Sequence, residues 1–181
     1  MSITREKNFY NEFIQTNPAL VLGLMIISFG LYAINWIYLK NKDFEKIDKF
    51  SPEANRGAII LMILPFSWFF IISISEKFIF NPSNLIFSII NIVGWGFILF
   101  LILKYLLDFS LSYGRITQTN GLYWFIGFLT SIIGIILFYY KIYWFSLIYL
   151  FLFILIPAMQ AELNIHYKRF TIKKERHSFY D

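Results

Sequence analysis

Cysteine is absent from this chain, and with it thiol redox chemistry, cysteine–metal sites, disulfide staples and S-acylation. Charge is scarce. Asp, Glu, Lys and Arg make up 15% of the 181 residues, against about 25% in an average soluble domain. Histidine occurs only as His166 and His177, both beyond the last apolar run, where solvated tail histidines are a commoner state than a two-histidine metal site. No metal and no cofactor is therefore expected. HExxH, Walker, GxSxG and EF-hand patterns are all missing. So is any internal repeat strong enough to suggest an inverted-repeat transporter. No Asp, Glu, Lys, Arg or His falls in the central part of a long apolar run, which argues against proton relays, voltage sensors and many ion-coupled carriers.

What is present is apolar and aromatic: 58% hydrophobic residues, 22% of the chain Phe, Trp or Tyr. These gather in runs of span length, and nearly all the charge lies between them. The pattern excludes an ordinary soluble domain, a disordered chain and a disulfide-stapled secreted domain. It predicts an all-α integral membrane helical bundle. Five runs fit a bilayer crossing of about 17–25 residues: Ala19–Leu39, Gly57–Ser75, Leu85–Leu107, Leu122–Tyr140 and Ile142–Met159. The last two are separated at Lys141 because a single helix over Leu122–Met159 would be about 57 Å long, nearly twice the hydrocarbon thickness. Tyr139, Tyr140, Tyr143 and Trp144 flank that lysine as an interfacial aromatic belt would. Five transmembrane helices are expected; four with one re-entrant piece is the alternative.

Local signals mark where helices start. Asn17-Pro18, Ser51-Pro52 and Asn81-Pro82 each precede an apolar run, pairing a capping side chain with a proline suited to the first helical position. Glu53 places a negative charge in the first turn of the second helix. Thr119-Asn120-Gly121 is a turn signal before the fourth. Pro65 and Pro157 lie inside spans and are expected to kink them. In the first loop, Phe44, Ile47 and Phe50 recur every three residues among charges, which suggests a short helix lying at the membrane interface.

Lysine and arginine set the orientation. With five spans, Arg5, Lys7, Lys77 and Lys141 fall on one side, and the other twelve of the 16 basic residues fall on the opposite side. The basic side should be cytoplasmic. That puts the N-terminus outside and the C-terminus inside. The organisation is a polar N-terminal tail (1–18), a single transmembrane domain (19–160) and a basic cytoplasmic tail (161–181). The tail at the N-terminus lacks the layout of a cleaved signal peptide, so the first span is expected to stay as an anchor.

Polar residues that intrude on the spans collect towards the cytoplasmic face: Asn35, Lys104, Asp108, Gln160, Glu162 and Asn164. Lys104 with Asp108, and Gln160 with Asn164, are four apart and share a helix face. They are candidates for an inner-leaflet pocket that binds a lipid headgroup or a partner, weighed against interhelical hydrogen bonding and snorkelling ends. Asn91 lies deeper and needs a partner across a helix contact. Gly127, Ser131 and Gly134, and Gly94 on the preceding span, are small residues that let helices approach closely, within one chain or between copies. Trp68 and Trp95, near mid-membrane, read as packing anchors. In the tail, Lys168, Arg169, Lys173, Lys174 and Arg176 alternate with Phe170 and Ile172. They can contact anionic lipid or simply fix topology. No nucleic-acid reading module accompanies them.

The segment Ser28-Phe29-Gly30-Leu31-Tyr32-Ala33-Ile34-Asn35-Trp36 resembles the opening helix of a group of small bacterial multipass membrane proteins of unknown function. Their first span runs small-hydroxyl, x, Gly, Ile or Leu, Tyr, then Trp four residues on. A charged loop and a proline-bearing second span follow, as Pro65 does here, and a glutamine then an asparagine close the last span, as Gln160 and Asn164 do. The likeness covers Ala19–Pro65 and Pro157–Asn164. It implies a bacterial cytoplasmic-membrane setting and no particular activity.

Three function classes remain. The leading one is a non-enzymatic accessory or assembly subunit of a membrane complex, in contact with lipids and a membrane-protein partner. The second is a homo-oligomeric channel or permeation component. The third is a lipid-acting enzyme, for which Asp108, Glu162 and His166 are the available acid–base groups.

Overall fold

The computed structural model describes residues 16–78, 85–139 and 150–178, and every regular element among them is helical. In chain order these are α1 (Pro18–Ile27), α2 (Tyr32–Phe44), α3 (Ala54–Ala58), a π-helical turn (Ile59–Ile63), α4 (Leu64–Phe78), α5 (Leu85–Thr117), α6 (Gly121–Tyr139) and α7 (Phe151–Ser178). Two stretches are long and apolar enough to cross a membrane: Ala54–Ser75, with mean hydropathy 2.3, and Leu85–Thr117, with 2.5. Only 17% and 11% of their apolar windows are buried, which is compatible with lipid around their sides. Pro18–Ile27, Gly121–Leu137 and Phe151–His166 are shorter apolar helices.

A continuous helix over Ala19–Leu39 does not form. The chain leaves helical geometry at Ser28–Leu31, where Phe29 and Gly30 take φ of 51° and 88°. Glycine has no Cβ to oppose that conformation. The Phe29 and Gly30 amides close α1 by donating to the Ile26 and Met25 carbonyls, at 3.1 and 2.8 Å. The Ser28 hydroxyl then accepts from the Tyr32 amide at 2.9 Å and starts α2. Serine followed by Gly30 is a stop-and-start signal, hidden in the sequence by the apolar residues around it.

Contacts at three levels show that α1 and α2 form a hairpin. Asn164 on α7 donates to the Thr16 carbonyl just before α1. Gly30, beyond the end of α1, faces Leu152 and Phe153 near the start of α7. Trp36 on α2 is back beside Gln160. So α1 runs antiparallel to α7 and α2 returns along it.

The remaining helices pack as neighbours in sequence, α4 on α5, α5 on α6 and α6 on α7. The helix α5 runs ten residues beyond the expected Leu107, so its 33 residues span about 50 Å. Pro65 acts one turn upstream. The Leu64 amide donates to the Ile59 carbonyl five residues back, in the widened turn that precedes a proline unable to donate. By contrast α7 continues unbroken through Pro157.

Asn17 caps α1 as expected, accepting from the Ala19 amide at 2.9 Å with Pro18 in the first turn. At the fourth run, Gln118 takes φ of 59°, Thr119 bonds back to Gly114, and Asn120 accepts from the Leu122 amide at 3.0 Å. Ser51 and Glu53 behave differently. Glu53 stands at the cap position of α3 without a side-chain bond, and the Glu45 carboxylate accepts from the Ala54 amide instead. The first loop forms no separate interfacial helix. Phe44 ends α2 and is fully buried, Ile47 is buried, and Phe50 is exposed.

The core sits at the end of the bundle where α2, the first loop, the second half of α5 and the middle of α7 meet. Phe44 stacks on Phe109 at 5.6 Å between ring centroids, and Phe109 meets Trp36 and Phe128 edge-on. Tyr113 packs against Phe44 and Trp124. Along α4 and the first half of α5, Phe66, Phe69, Phe70, Ile89, Ile90 and Phe97 are exposed. Asn81-Pro82, the Tyr140–Ile142 turn, the Tyr143–Trp144 belt and residues 1–15 lie outside the described residues, as do the side chains of Lys168, Arg169, Lys173, Lys174 and Arg176.

Candidate functional site

The polar residues at the packed end divide into three groups. In the first, the Trp36 indole donates to Gln160 Oε1 at 2.9 Å, Gln160 Nε2 donates to Asn164 Oδ1 at 2.8 Å, and Asn164 Nδ2 donates to the Thr16 carbonyl at 2.9 Å. Gln160 is fully buried, and this relay ties α2, α7 and the start of α1 together. The segments around Trp36 and around Gln160–Asn164 are thus in direct contact. Beside them the Tyr113 hydroxyl lies 2.8 Å from both the Met159 carbonyl and the Glu162 carboxylate.

The second group centres on Asn41, which is fully buried on α2. Its amide nitrogen donates to the Pro52 carbonyl and, at 2.9 Å, to the Tyr105 hydroxyl, and its oxygen accepts from Ser51 at 2.7 Å. Next to it on α2, Lys40 is also buried. Burial pushes its ammonium below the ordinary lysine range, with Asp43 opposing the shift.

The third group fastens the first loop to the end of α5. Asp48 Oδ2 accepts from Ser112 at 2.6 Å and from Arg115 Nε and a terminal guanidinium nitrogen at 3.0 and 2.7 Å. Asp48 Oδ1 accepts from the Phe50 amide at 3.0 Å. Burial pushes the carboxyl up, but the bonds from Ser112, Arg115 and Phe50 and the guanidinium charge outweigh it, so the carboxyl lies below its usual range. Arg115 also covers the Phe50 ring, 5.7 Å from its centroid.

Two openings flank these groups. A groove of about 540 Å³ between α6 and α7 is walled by Tyr123, Ile126, Phe151 and Leu155, with Asn120 and Glu162 also at its lining. A cleft of about 100 Å³ is lined by Glu53, Arg56, Lys104 and Asp108.

The six expected cluster residues therefore do not share one pocket. Gln160 and Asn164 bond to each other, Glu162 lies on the neighbouring Tyr113 bond and in the groove, and Lys104 with Asp108 border the separate cleft. Asn35 is exposed on α2, away from the buried face that carries Trp36. Asp108 and Glu162, two of the three candidate acid–base groups, line different openings. His166 makes contacts of its own.

Among the packing residues, Gly127 lies directly against Leu155 and Phe151, and Ser131 and Gly134 are buried on the same helix. This small-residue face is used within the chain. Gly94 is covered by the Trp68 ring, so Trp68 is an anchor as expected, whereas Trp95 is 39% exposed. Asn91 Oδ1 and Trp68 Nε1 are buried without a hydrogen-bond partner among the described residues.

Sequence reasoning passed over Asn41, Asp48 and Ser112. Their partners lie far along the chain, and in sequence they look like ordinary residues of a solvated loop and helix end. Compared with protein-family models, curated proteins and solved structures, the chain matches none.

Proposed function

We propose that this chain is a non-enzymatic multipass protein of a bacterial cytoplasmic membrane, acting as an accessory or assembly subunit of a larger membrane complex. The observation that carries it is how the polar groups are used. Gln160, Asn164, Asn41, Asp48, Arg115 and Glu162 bond mainly to one another or to tyrosine, tryptophan and backbone groups. They hold helices together and, among the described residues, leave no grouped acid, base and nucleophile. Meanwhile α4 and the first half of α5 offer bare apolar sides, suited to lipid and to other transmembrane helices. The basic first loop and the basic tail lie to the cytoplasmic side.

The alternative, a homo-oligomeric channel, draws on small-residue faces of both α5 and α6. Gly127 on α6 packs on Leu155 and Phe151 and Gly94 on α5 packs on Trp68, which favours contacts within the chain at these two positions, whereas Gly96 on α5 has open space beside it. The test is affinity capture from native membranes at endogenous expression, with native mass determination. A stoichiometric membrane-protein partner is expected. Recovery as a lone homo-oligomer would overturn the subunit proposal and make liposome flux the next assay.

A further inference from the structure

We propose that the first apolar run, Ala19–Leu39, does not cross the bilayer. It forms a re-entrant hairpin that enters the leaflet on the basic side, meets the acyl chains of that leaflet with its tip, and returns to the same face. The proposal rests on the multipass reading above and sets its topology.

Both ends of the hairpin lie at one level. Thr16 bonds to Asn164 and Trp36 bonds to Gln160, four residues apart on α7, in the polar stretch that follows its apolar run. The tip lies at Leu152 and Phe153. From Asn164 to Phe153 is about 16 Å along a helix, half of roughly 30 Å of hydrocarbon. Burial follows the same boundary. On α5 it is concentrated from Tyr105 to Thr117, where α2 and α6 cover it, while most of Leu85–Phe100 is open.

Non-helical backbone inside a bilayer has to satisfy its polar groups within the protein. This turn does. The amides of Ser28, Phe29, Gly30, Leu31, Ala33 and Ile34 donate to the carbonyls of Leu24, Ile26, Met25, Ser28, Gly30 and Leu31, and the Tyr32 amide donates to the Ser28 hydroxyl. The tip needs neither water nor a second chain to complete its amide bonds.

Phe29 gives an independent reason. It adopts a left-handed conformation, which costs a bulky L-residue about 1–2 kcal/mol, and its side chain is 87% exposed. The backbone strain is the same in any solvent, but the exposed ring is unfavourable in water. In hydrocarbon an exposed phenylalanine is stabilising. Ile26, Ile27 and Leu31 surround it and are exposed as well, so the whole tip is an apolar cap.

The charges agree. With a hairpin in place of the first crossing, Arg5 and Lys7 join the basic face, and of the 16 basic residues only Lys77 and Lys141 remain opposite. The positive-inside bias becomes stronger than with five crossings. Four crossings remain, and both termini are cytoplasmic.

The absence of cysteine makes a direct test clean. Single variants Ser2→Cys, His177→Cys and Ser83→Cys are labelled with a membrane-impermeant maleimide in sealed right-side-out and inverted vesicles. Ser2→Cys and His177→Cys should label in the same preparation and Ser83→Cys in the other. Labelling of Ser2→Cys together with Ser83→Cys would overturn the hairpin in favour of a crossing helix. Nitroxide at Phe29→Cys, and separately at Ile27→Cys, should be reached by oxygen and shielded from a water-soluble nickel chelate. Access to the chelate at both sites would also overturn the proposal, since the hairpin would then lie in water. Release of the protein by alkaline carbonate without detergent would instead overturn the multipass reading itself.

Discussion

Gln160 is fully buried at the place where α7 changes from apolar to polar, and its oxygen takes the only hydrogen that the Trp36 indole has to give. Removing one partner of a buried bond leaves the other unsatisfied, which costs about 1–3 kcal/mol; removing both with apolar groups is milder. Trp36→Phe is therefore expected to lower stability in detergent by about that amount, and by more than Trp95→Phe, whose ring is 39% exposed where Trp36 is 1% exposed. The double variant Trp36→Phe with Gln160→Leu should lose less than the two single losses added together. Thermal unfolding midpoints of the four proteins check this, and strict additivity would mean that the bond contributes nothing. The importance of Gln160 and Asn164 was visible in the sequence because they lie four apart on one helix. Their tie to Trp36, 124 residues away from Gln160, was not, because no local pattern reports it.

Elements whose boundaries depend on neighbouring residues were legible in advance. Asn17-Pro18 and Thr119-Asn120-Gly121 act through bonds two residues long, so the sequence contains the whole signal. The first loop was misread for the opposite reason. Its order depends on Asn41 meeting Tyr105 and on Asp48 meeting Arg115, at separations of 64 and 67 residues. The Ser28–Leu31 break was legible as a serine and a glycine, but a window set to find apolar spans passes over both. The Asp48 clamp makes the order of this loop depend on pH. A carboxyl held below its usual range stabilises fully above its unfolded value, about 3.9, and that contribution is lost as pH falls from there through the folded value. Asp48→Asn should cost on the order of 1–2 kcal/mol at pH 7, allowing for the part-exposed Arg115. The difference from the parent chain should shrink towards zero once the pH is below the folded value. Unfolding curves of both proteins at neutral and acid pH read it directly, and a difference independent of pH would show that the carboxylate charge plays no part.

At the scale of the whole molecule, packing is uneven. The end that holds the aromatic core is dense, and the other end shows phenylalanine and isoleucine side chains on the outer faces of α4 and α5. A soluble protein with such a surface would aggregate, while lipid would make it the expected exterior. The two environments predict opposite outcomes for one substitution. Phe97 lies near the middle of the Leu85–Leu107 run and is 62% exposed. In water, Phe97→Arg at so open a position should change stability by no more than about 0.5 kcal/mol and improve solubility. In a bilayer, arginine at the helix centre costs roughly 2.5–3.5 kcal/mol on the insertion scale. Phe50→Arg is the matched control. Phe50 is at least as exposed but belongs to the basic loop that Asp48 and Arg115 fasten; there the substitution gives up the Arg115–ring contact, about 0.5–1 kcal/mol at an exposed site, but puts no cation into hydrocarbon. Membrane-fractionated yield should fall sharply for Phe97→Arg and hold for Phe50→Arg. Equal yields, with both variants recovered in the soluble fraction, would mean that the exposed faces of α4 and α5 do not lie in lipid.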